Sequence, residues 1–181
     1  MSALYSHCHK CGTEYQSQDW PRVCVNDECR FMVWRPIHPV AVLIQPVLNG
    51  ATGQTGVILG RRGINPHKGV LALPGGFVEF GERAEHAVGR ELREEMLINS
   101  VGAPRFSHSY TDDEGHFLLF FVERPLTLAA VEKMYHSTSE CTEMKIAYEP
   151  EQLAFQSHTL ALKRYFIENE LRDLTASQTQ N

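Results

Sequence analysis

The sequence predicts an α+β domain with a small cysteine-rich appendage in front of it. Three observations predict this: short apolar runs of strand length, two helical stretches that do not alternate regularly with those runs, and four of five cysteines within the first thirty residues. The chain has 181 residues, enough for one good-sized domain and little more. At 43% hydrophobic and 22% charged, its composition is that of an ordinary globular protein. No apolar run approaches the ~20 residues needed to cross a bilayer, so a membrane protein is excluded. Met1 to His7 lacks a basic start followed by an apolar stretch, so no secretory signal and a cytoplasmic location are expected. A net charge of −5 argues against non-specific binding to nucleic acid.

Residues 1–35 form the appendage. Cys8-His9-Lys10-Cys11-Gly12 is a C-x2-C-G turn, which aims two thiolates at one tetrahedral metal. Cys24 and Cys29 supply a wider C-x4-C pair, and the twelve residues between the pairs suffice for a short hairpin that joins them. A reducing compartment disfavours disulfides, so the spacing is read as a structural Zn2+ ribbon. His7 or His9 could replace one thiolate. Cys141 stands alone and reads as a small buried apolar residue.

Trp34 to Pro39 is a proline-punctuated lead into the main domain, residues 36–174. Val40 to Ile44 reads as a buried strand, Asn49 to Gly56 as a turn, and Val57 to Leu59 as a second strand. Gly69 to Gly81 reads as loop with a short strand at its centre, and a helix is expected from Arg83 to about Met96. Asp112 to Gly115 is a turn before a strand at His116 to Val122, and another strand follows near Met144 to Tyr148. Ser157 is expected to cap a final helix that carries Leu160, Ala161 and Phe166 inward; 175–181 is a polar tail.

The middle helix is the unusual one. At ~100° per residue, Ala84, Ala87, Val88 and Leu92 form one stripe, with Arg83, His86, Gly89 and Arg93 opposite. Glu91 and Glu95 fall inside the apolar stripe and Glu94 sits on its edge, so three carboxylates are expected to converge on the core side. Carboxylates seldom go there unless paired or bound to a cation, and oxygen-only clusters suit Mg2+ or Mn2+. A solvated face with ion pairs such as Arg90 to Glu94 is the plainer alternative. The preceding segment, Leu73 to Glu82, favours the first reading, because its Gly75-Gly76 lets backbone approach a ligand closely.

Taken together, Gly76-x5-Glu82-x7-Arg90-Glu91-Leu92-x-Glu94-Glu95 resembles the Nudix box, G-x5-E-x7-R-E-U-x-E-E-x-G-U, where U is aliphatic; Ile98 fills the last position. Leu97 stands where the box has glycine, which puts the helix exit in doubt but no ligand. The box covers about an eighth of the chain, and Arg61-Arg62, Gly69 to Gly76 and Leu153 to His158 are further elements of the resemblance. With its zinc ribbon the chain resembles the branch containing NADH, FAD and ADP-ribose pyrophosphatases. The resemblance implies a Nudix-type α/β/α sandwich with a mixed sheet and hydrolysis of a nucleoside diphosphate linked to another moiety, with Mg2+ or Mn2+. It implies metal binding by Glu91, Glu94, Glu95 and the Gly76 carbonyl, and a positioning pair between Arg90 and Glu82. The general base stays open between a helix glutamate, Glu140 and Glu143. Arg61, Arg62 and Lys68 are candidates to meet substrate phosphates or are simply an exposed hairpin end. One of Tyr110, Phe117, Phe120 and Phe121 could hold a base, although such residues are more often core. The expected partner is a small-molecule nucleotide, and a homodimer is compatible with the resemblance. NADH pyrophosphatase is the runner-up, because the region Phe106 to Asp112 lacks that group's Pro-Trp stretch. A zinc-ribbon binding module is a third reading, disfavoured by the intact box and the balanced ribbon charges.

Overall fold

The computed structural model describes residues 5–17, 19–100, 102, 104–112 and 114–178, with side chains as far as residue 171. The expected leader-free start at Met1 to Leu4, Asp113 of the expected turn, and residues 179–181 of the expected tail lie outside these. The chain divides into two compact units, Met1–Ile37 and His38–Asn181.

In the first unit β1 (Arg22–Val23) pairs antiparallel with β2 (Met32–Val33). This hairpin encloses the second cysteine pair instead of spanning the gap between pairs, and an isolated bridge from His7 to Glu14 frames the first. Among the described residues its buried apolar core is Cys8, Tyr15 and Cys24.

Among the described residues the second unit has nine strands and three helices: β3 (His38–Ile44), β4 (Pro46–Leu48), β5 (Thr55–Arg62), β6 (Leu71–Ala72), β7 (Gly75–Phe77), α1 (Ala84–Met96), β8 (Arg105–Thr111), β9 (His116–Val122), β10 (Leu126–Thr127), α2 (Leu128–Met134), β11 (Cys141–Ala147) and α3 (Gln156–Gln178). They form two mixed sheets, β7-β3-β9-β8 and β10-β4-β5-β11 with β6 on β5. The β3–β9 pair is parallel, and both neighbours at the sheet's ends are antiparallel.

Strand alternation explains the layers. Ala41 and Leu43 join α1 and α2 residues in one core, while Val42 and Ile44 join Ala161 and Leu162 of α3 in the other. In β5, Ile58 faces the α1 side and Val57 and Leu59 the α3 side. Burial on both faces is why these strands read as continuous apolar runs. The result is the α/β/α sandwich that the resemblance implied.

Several expectations need correction. The Gly69–Gly81 segment holds two short strands, β6 and β7, rather than one. Strand β8 and helix α2 were not expected. The first is an edge strand mixing apolar and polar residues, and the second has seven residues, too few to show a period. Thr127 caps α2 by accepting the Ala130 N–H at 3.3 Å. Ser157 lies inside α3, and Leu160 points away from the core at 41% exposure; Leu162 is buried instead. Helix α3 continues through residues 175–178, which had read as tail. Among the described residues no helix is long and apolar enough to cross a membrane.

Candidate active site and thiolate cluster

Helix α1 starts after Arg83 and packs on β3 and β7 through Ala87, Val88, Leu92 and Met96, all fully buried. That seating turns Glu91 inward, buried, and leaves Glu95 half-buried. Glu94 has a side chain 57% exposed, so of the three carboxylates expected on the core side it is the one left outside. The reason is angular: Glu94 lies at the rim of the apolar stripe, where one step carries it into solvent.

Close approach of backbone decides where Glu91 goes. Gly76, in β7, pairs with Ala41, and a Cβ on it would come within 2.6 Å of the Glu91 Cδ. Any side chain at 76 therefore displaces that carboxylate. A second close approach lies under the end of the helix. A Cβ on Gly60 of β5 would stand 2.5 Å from the Met96 methyl and 2.9 Å from the Cys141 Sγ.

Arg90 ties the site together. Its Nε donates to Glu82 Oε1 at 2.9 Å and its Nη2 to Glu82 Oε2 at 3.0 Å, a two-pronged pair. The same Nη2 reaches the Phe77 carbonyl at 2.9 Å, while Nη1 donates to Glu91 Oε1 at 2.7 Å and Glu94 Oε2 at 2.9 Å. Glu82 in turn accepts the Glu79 N–H at 3.1 Å. The Arg90 hydrogen bonds hold the Glu82 carboxyl below its ordinary range. Burial pushes Glu91 up despite Arg90, and it pushes Glu95 up to about 8, helped by the charge of Glu91 and opposed by the Gly75 N–H. The charge of Glu140 raises both glutamates, and Glu140 lines a narrow cleft with Glu95, Arg62, Gly60, Ala72, Leu73 and Cys141.

The other candidates are spread around this cleft. Arg62 donates to the Pro66 carbonyl at 2.7 Å and lies over the Phe155 ring at 5.1 Å. Arg61 is engaged by Glu143 at 2.6 Å and by the Gly69 carbonyl at 2.9 Å. Lys68 is exposed on the connecting loop. Phe120 and Phe121 are buried core residues, whereas Phe117 reaches the surface. Sequence reasoning passed over Gly60 and Thr138, and it gave no separate role to Phe77 or Phe155 within the segments it quoted. Thr138 donates its hydroxyl to the Glu95 carbonyl at 2.8 Å, pinning the helix end. No spacing marks these residues, because their roles arise from contacts between distant segments.

The helix exit settles the question raised by Leu97. It adopts the left-handed conformation, φ 59° and ψ 19°, and its N–H donates to the Arg93 carbonyl at 2.9 Å. The chain thus makes the glycine-type exit with a leucine, because Ile98 just beyond is fully buried and anchors it.

In the first unit the four cysteine Sγ atoms all lie within 4.8 Å of one another. Cys8 and Cys29 are 3.8 Å apart, and Cys11 and Cys24 3.5 Å. Sulfurs ~2.3 Å from a tetrahedral Zn2+ are separated by about 3.8 Å, so the cluster is compatible with zinc. Burial pushes Cys24 up to about 12, and hydrogen bonding to Thr13 brings Cys11 down to about 6. His7 and His9 stand outside the cluster, one bonded to Ser6 Oγ at 2.8 Å and the other edge-on to Phe31. No other group of three such ligands closes to that distance among the described residues, the α1 glutamates included.

A sandwich with a carboxylate-bearing helix against a glycine turn defines a class of fold, and comparison with known proteins gives the family. The chain belongs to the NUDIX domain family, which matches residues 37–168. It is 59% identical over 65 residues to an ADP-ribose pyrophosphatase of Methanocaldococcus jannaschii, covering 34% of this chain and 38% of that protein. It is 34% identical over 93 residues to an NAD-capped RNA hydrolase NudC of Pseudomonas aeruginosa, covering 50% of this chain and 30% of that one. The matches thus span well under half the length of these curated relatives. Among solved structures, a NUDIX hydrolase from Nitrosomonas europaea superposes with a TM-score of 0.65 at 21% identity, over 91% of this chain and 92% of that one. The NUDIX domain of Shewanella oneidensis NrtR, complexed with ADP ribose, gives 0.58 at 17% identity over 76% and 90%. These two likenesses concern the fold.

Proposed function

We propose that this chain is a divalent-metal-dependent pyrophosphohydrolase that cleaves a nucleoside diphosphate linked to another moiety, ADP-ribose or an FAD-like dinucleotide. One observation carries the reading: Glu91 and Glu95 are held against the Gly75–Gly76 turn with Glu140 nearby, and burial, with neighbouring carboxylate charge, resists their ionisation. Such oxygen-only donors fit Mg2+ or Mn2+. Glu91, Glu94, Glu95 and the Gly76 carbonyl would hold the ion, which when bound polarises a phosphoryl oxygen and lowers the pKa of an attacking water.

The chain's own groups do the positioning. Arg90 holds Glu82, Glu91, Glu94 and the Phe77 carbonyl in one frame, so the loop and helix keep their spacing. Arg62, fixed by Pro66 and Phe155, offers its charge to a substrate phosphate at the cleft. Arg61 is already committed to Glu143, and Lys68 contributes from the exposed loop. As general base Glu140 fits better than Glu143, because it lines the cleft and Glu143 is neutralised by Arg61. Cys8, Cys11, Cys24 and Cys29 would hold a structural Zn2+. Reduced thiols of this kind persist in the cytoplasm, which is the location we assign.

An NAD-type dinucleotide, free or as an RNA cap, is the second reading. The likeness to the NAD-capped RNA hydrolase favours it, and the proline-free strand β8 counts against it. A panel of ADP-ribose, FAD, NADH, NAD-capped RNA, diadenosine polyphosphates and dNTPs, assayed with Mg2+ and Mn2+, separates the readings. Glu94→Gln should abolish turnover of the best substrate and leave thermal stability nearly unchanged or raised. Wild-type rates in that variant with Mg2+ would refute the assignment.

A further inference from the structure

Between β6 and β7 the chain changes sheets. Ala72 pairs with Gly60 of β5 and Gly75 with Val42 of β3, so Leu73 and Pro74 cross from one ladder to the other. The Pro74 carbonyl accepts the Leu43 N–H at 2.9 Å, but the Leu73 N–H falls between the ladders, in a residue only 2% exposed. A buried backbone donor needs an acceptor, and here a side chain supplies it: the Leu73 N–H donates to His158 Nδ1 at 3.3 Å. His158 is buried near the start of α3, and burial, with the charge of Arg62, pushes its pKa down to about 3. A neutral imidazole that accepts at Nδ1 carries its proton on Nε2.

The neighbours of His158 grip the same stretch of chain. The Ala154 N–H donates to the Leu71 carbonyl at 2.8 Å. The Phe155 ring lies 5.0 Å from the His158 ring and carries the Arg62 guanidinium at 5.1 Å. Thr159 Oγ1 accepts the Leu153 N–H at 3.0 Å and donates to the Phe155 carbonyl at 3.3 Å, which stiffens the segment. Residues 153–159 thus hold both the strand that leads into the glycine turn and the arginine beside the cleft. They do so from the α3 side of the sandwich, opposite the helix that bears the glutamates.

We propose that His158 is a positioning residue for hydrolysis: by holding the Leu73 N–H it sets the register of the Gly75–Gly76 turn against which Glu91 lies. Its effect on turnover rests on the pyrophosphohydrolase reading, whereas its hold on the turn does not. Acting through backbone, it should govern kcat and leave KM nearly alone.

Nuclear magnetic resonance on the metal-free full chain tests the hold, and kinetics on the best substrate of the panel test the effect. Long-range proton–nitrogen spectra should show the His158 ring as the Nε2–H tautomer, unchanged from about pH 5 to about pH 8. An Nδ1–H or charged ring overturns the proposal. In His158→Ala the Leu73 amide should exchange about tenfold faster or more and the Gly75 and Gly76 amide signals should move, while β3 and β9 keep their protection. The same variant should lose about tenfold or more in kcat with KM nearly unchanged. His158→Asn, whose Oδ1 can stand where Nδ1 stood, should restore the amide signals and bring kcat to within about threefold of wild type. Should alanine prevent folding, His158→Gln, whose longer amide reaches past the Leu73 N–H, takes its place with the same expectations. A variant lacking the acceptor that keeps wild-type kcat or wild-type turn signals overturns the proposal, and so does an asparagine variant that fails to restore them. A wild type inactive on every substrate sinks the pyrophosphohydrolase reading instead, and the amide signals then decide the role of His158.

Discussion

The thiolate cluster and the carboxylate cluster solve opposite problems. Around the cysteines the buried apolar core is three of the described residues, and the four sulfurs close on one another within 4.8 Å. Around the glutamates the helix is seated by a large apolar core, and the acidic groups stay further apart, spaced by Arg90. A closed set with little hydrophobic support is what a structural ion needs, since ion and fold then depend on each other. An open set on a self-supporting scaffold leaves positions for water and substrate.

The contrast can be broken most severely at the cysteines. Removing zinc with a strong chelator should unfold the first unit, because binding at such sites supplies about 10–16 kcal/mol of folding energy. The amide spectrum of the Met1–Ile37 unit should collapse while the melting transition of the larger unit persists. If both units survive chelation, or if no zinc is found, the cluster is not structural.

A smaller effect of opposite sign is expected at the carboxylates. Without metal, the folded state holds a proton on Glu95 up to about pH 8, well above the usual carboxylate range in the unfolded chain. Between those values the folded state binds more protons, so stability of the metal-free protein should fall as pH rises through this window, on the order of 3 kcal/mol. Chemical denaturation from pH 5 to pH 8.5 reads it; Glu95→Gln should flatten the curve and added Mg2+ should offset the loss. Acid should instead weaken the thiolate site, whose ligands must lose protons to bind.

The smallest effect concerns the helix exit. Leu97→Gly should stabilise the protein by roughly 1 kcal/mol, because leucine carries a left-handed penalty there that glycine does not. An unchanged or lower unfolding midpoint would mean that the exposed leucine side chain makes up the difference.

Much of this was legible in the sequence for identifiable reasons. The 3.6-residue period put Ala87, Val88 and Leu92 on one face, and all three are buried. Gly76, Glu82 and Arg90 sit within one local stretch, so spacing alone is informative about their meeting. The direction of Leu160 was not legible, because α3 is apolar on two faces and its period favours neither. Strand β8 was missed because an edge strand needs no strict alternation. Glu140 and Arg62 flank one cleft only because β5 and β11 pair, a relation that no short pattern carries.

Gly60 belongs to no signature, yet it sets the height at which the carboxylate-bearing helix rests. The missing side chain lets the Met96 methyl sink onto the strand, and Glu95 is its immediate neighbour in the chain. A single added carbon there would lift the end of α1 like a shim under a beam, tilting its acidic groups away from the glycine bend. Tolerance to substitution at this remote spot is thus a gauge of how finely those carboxylates are levelled.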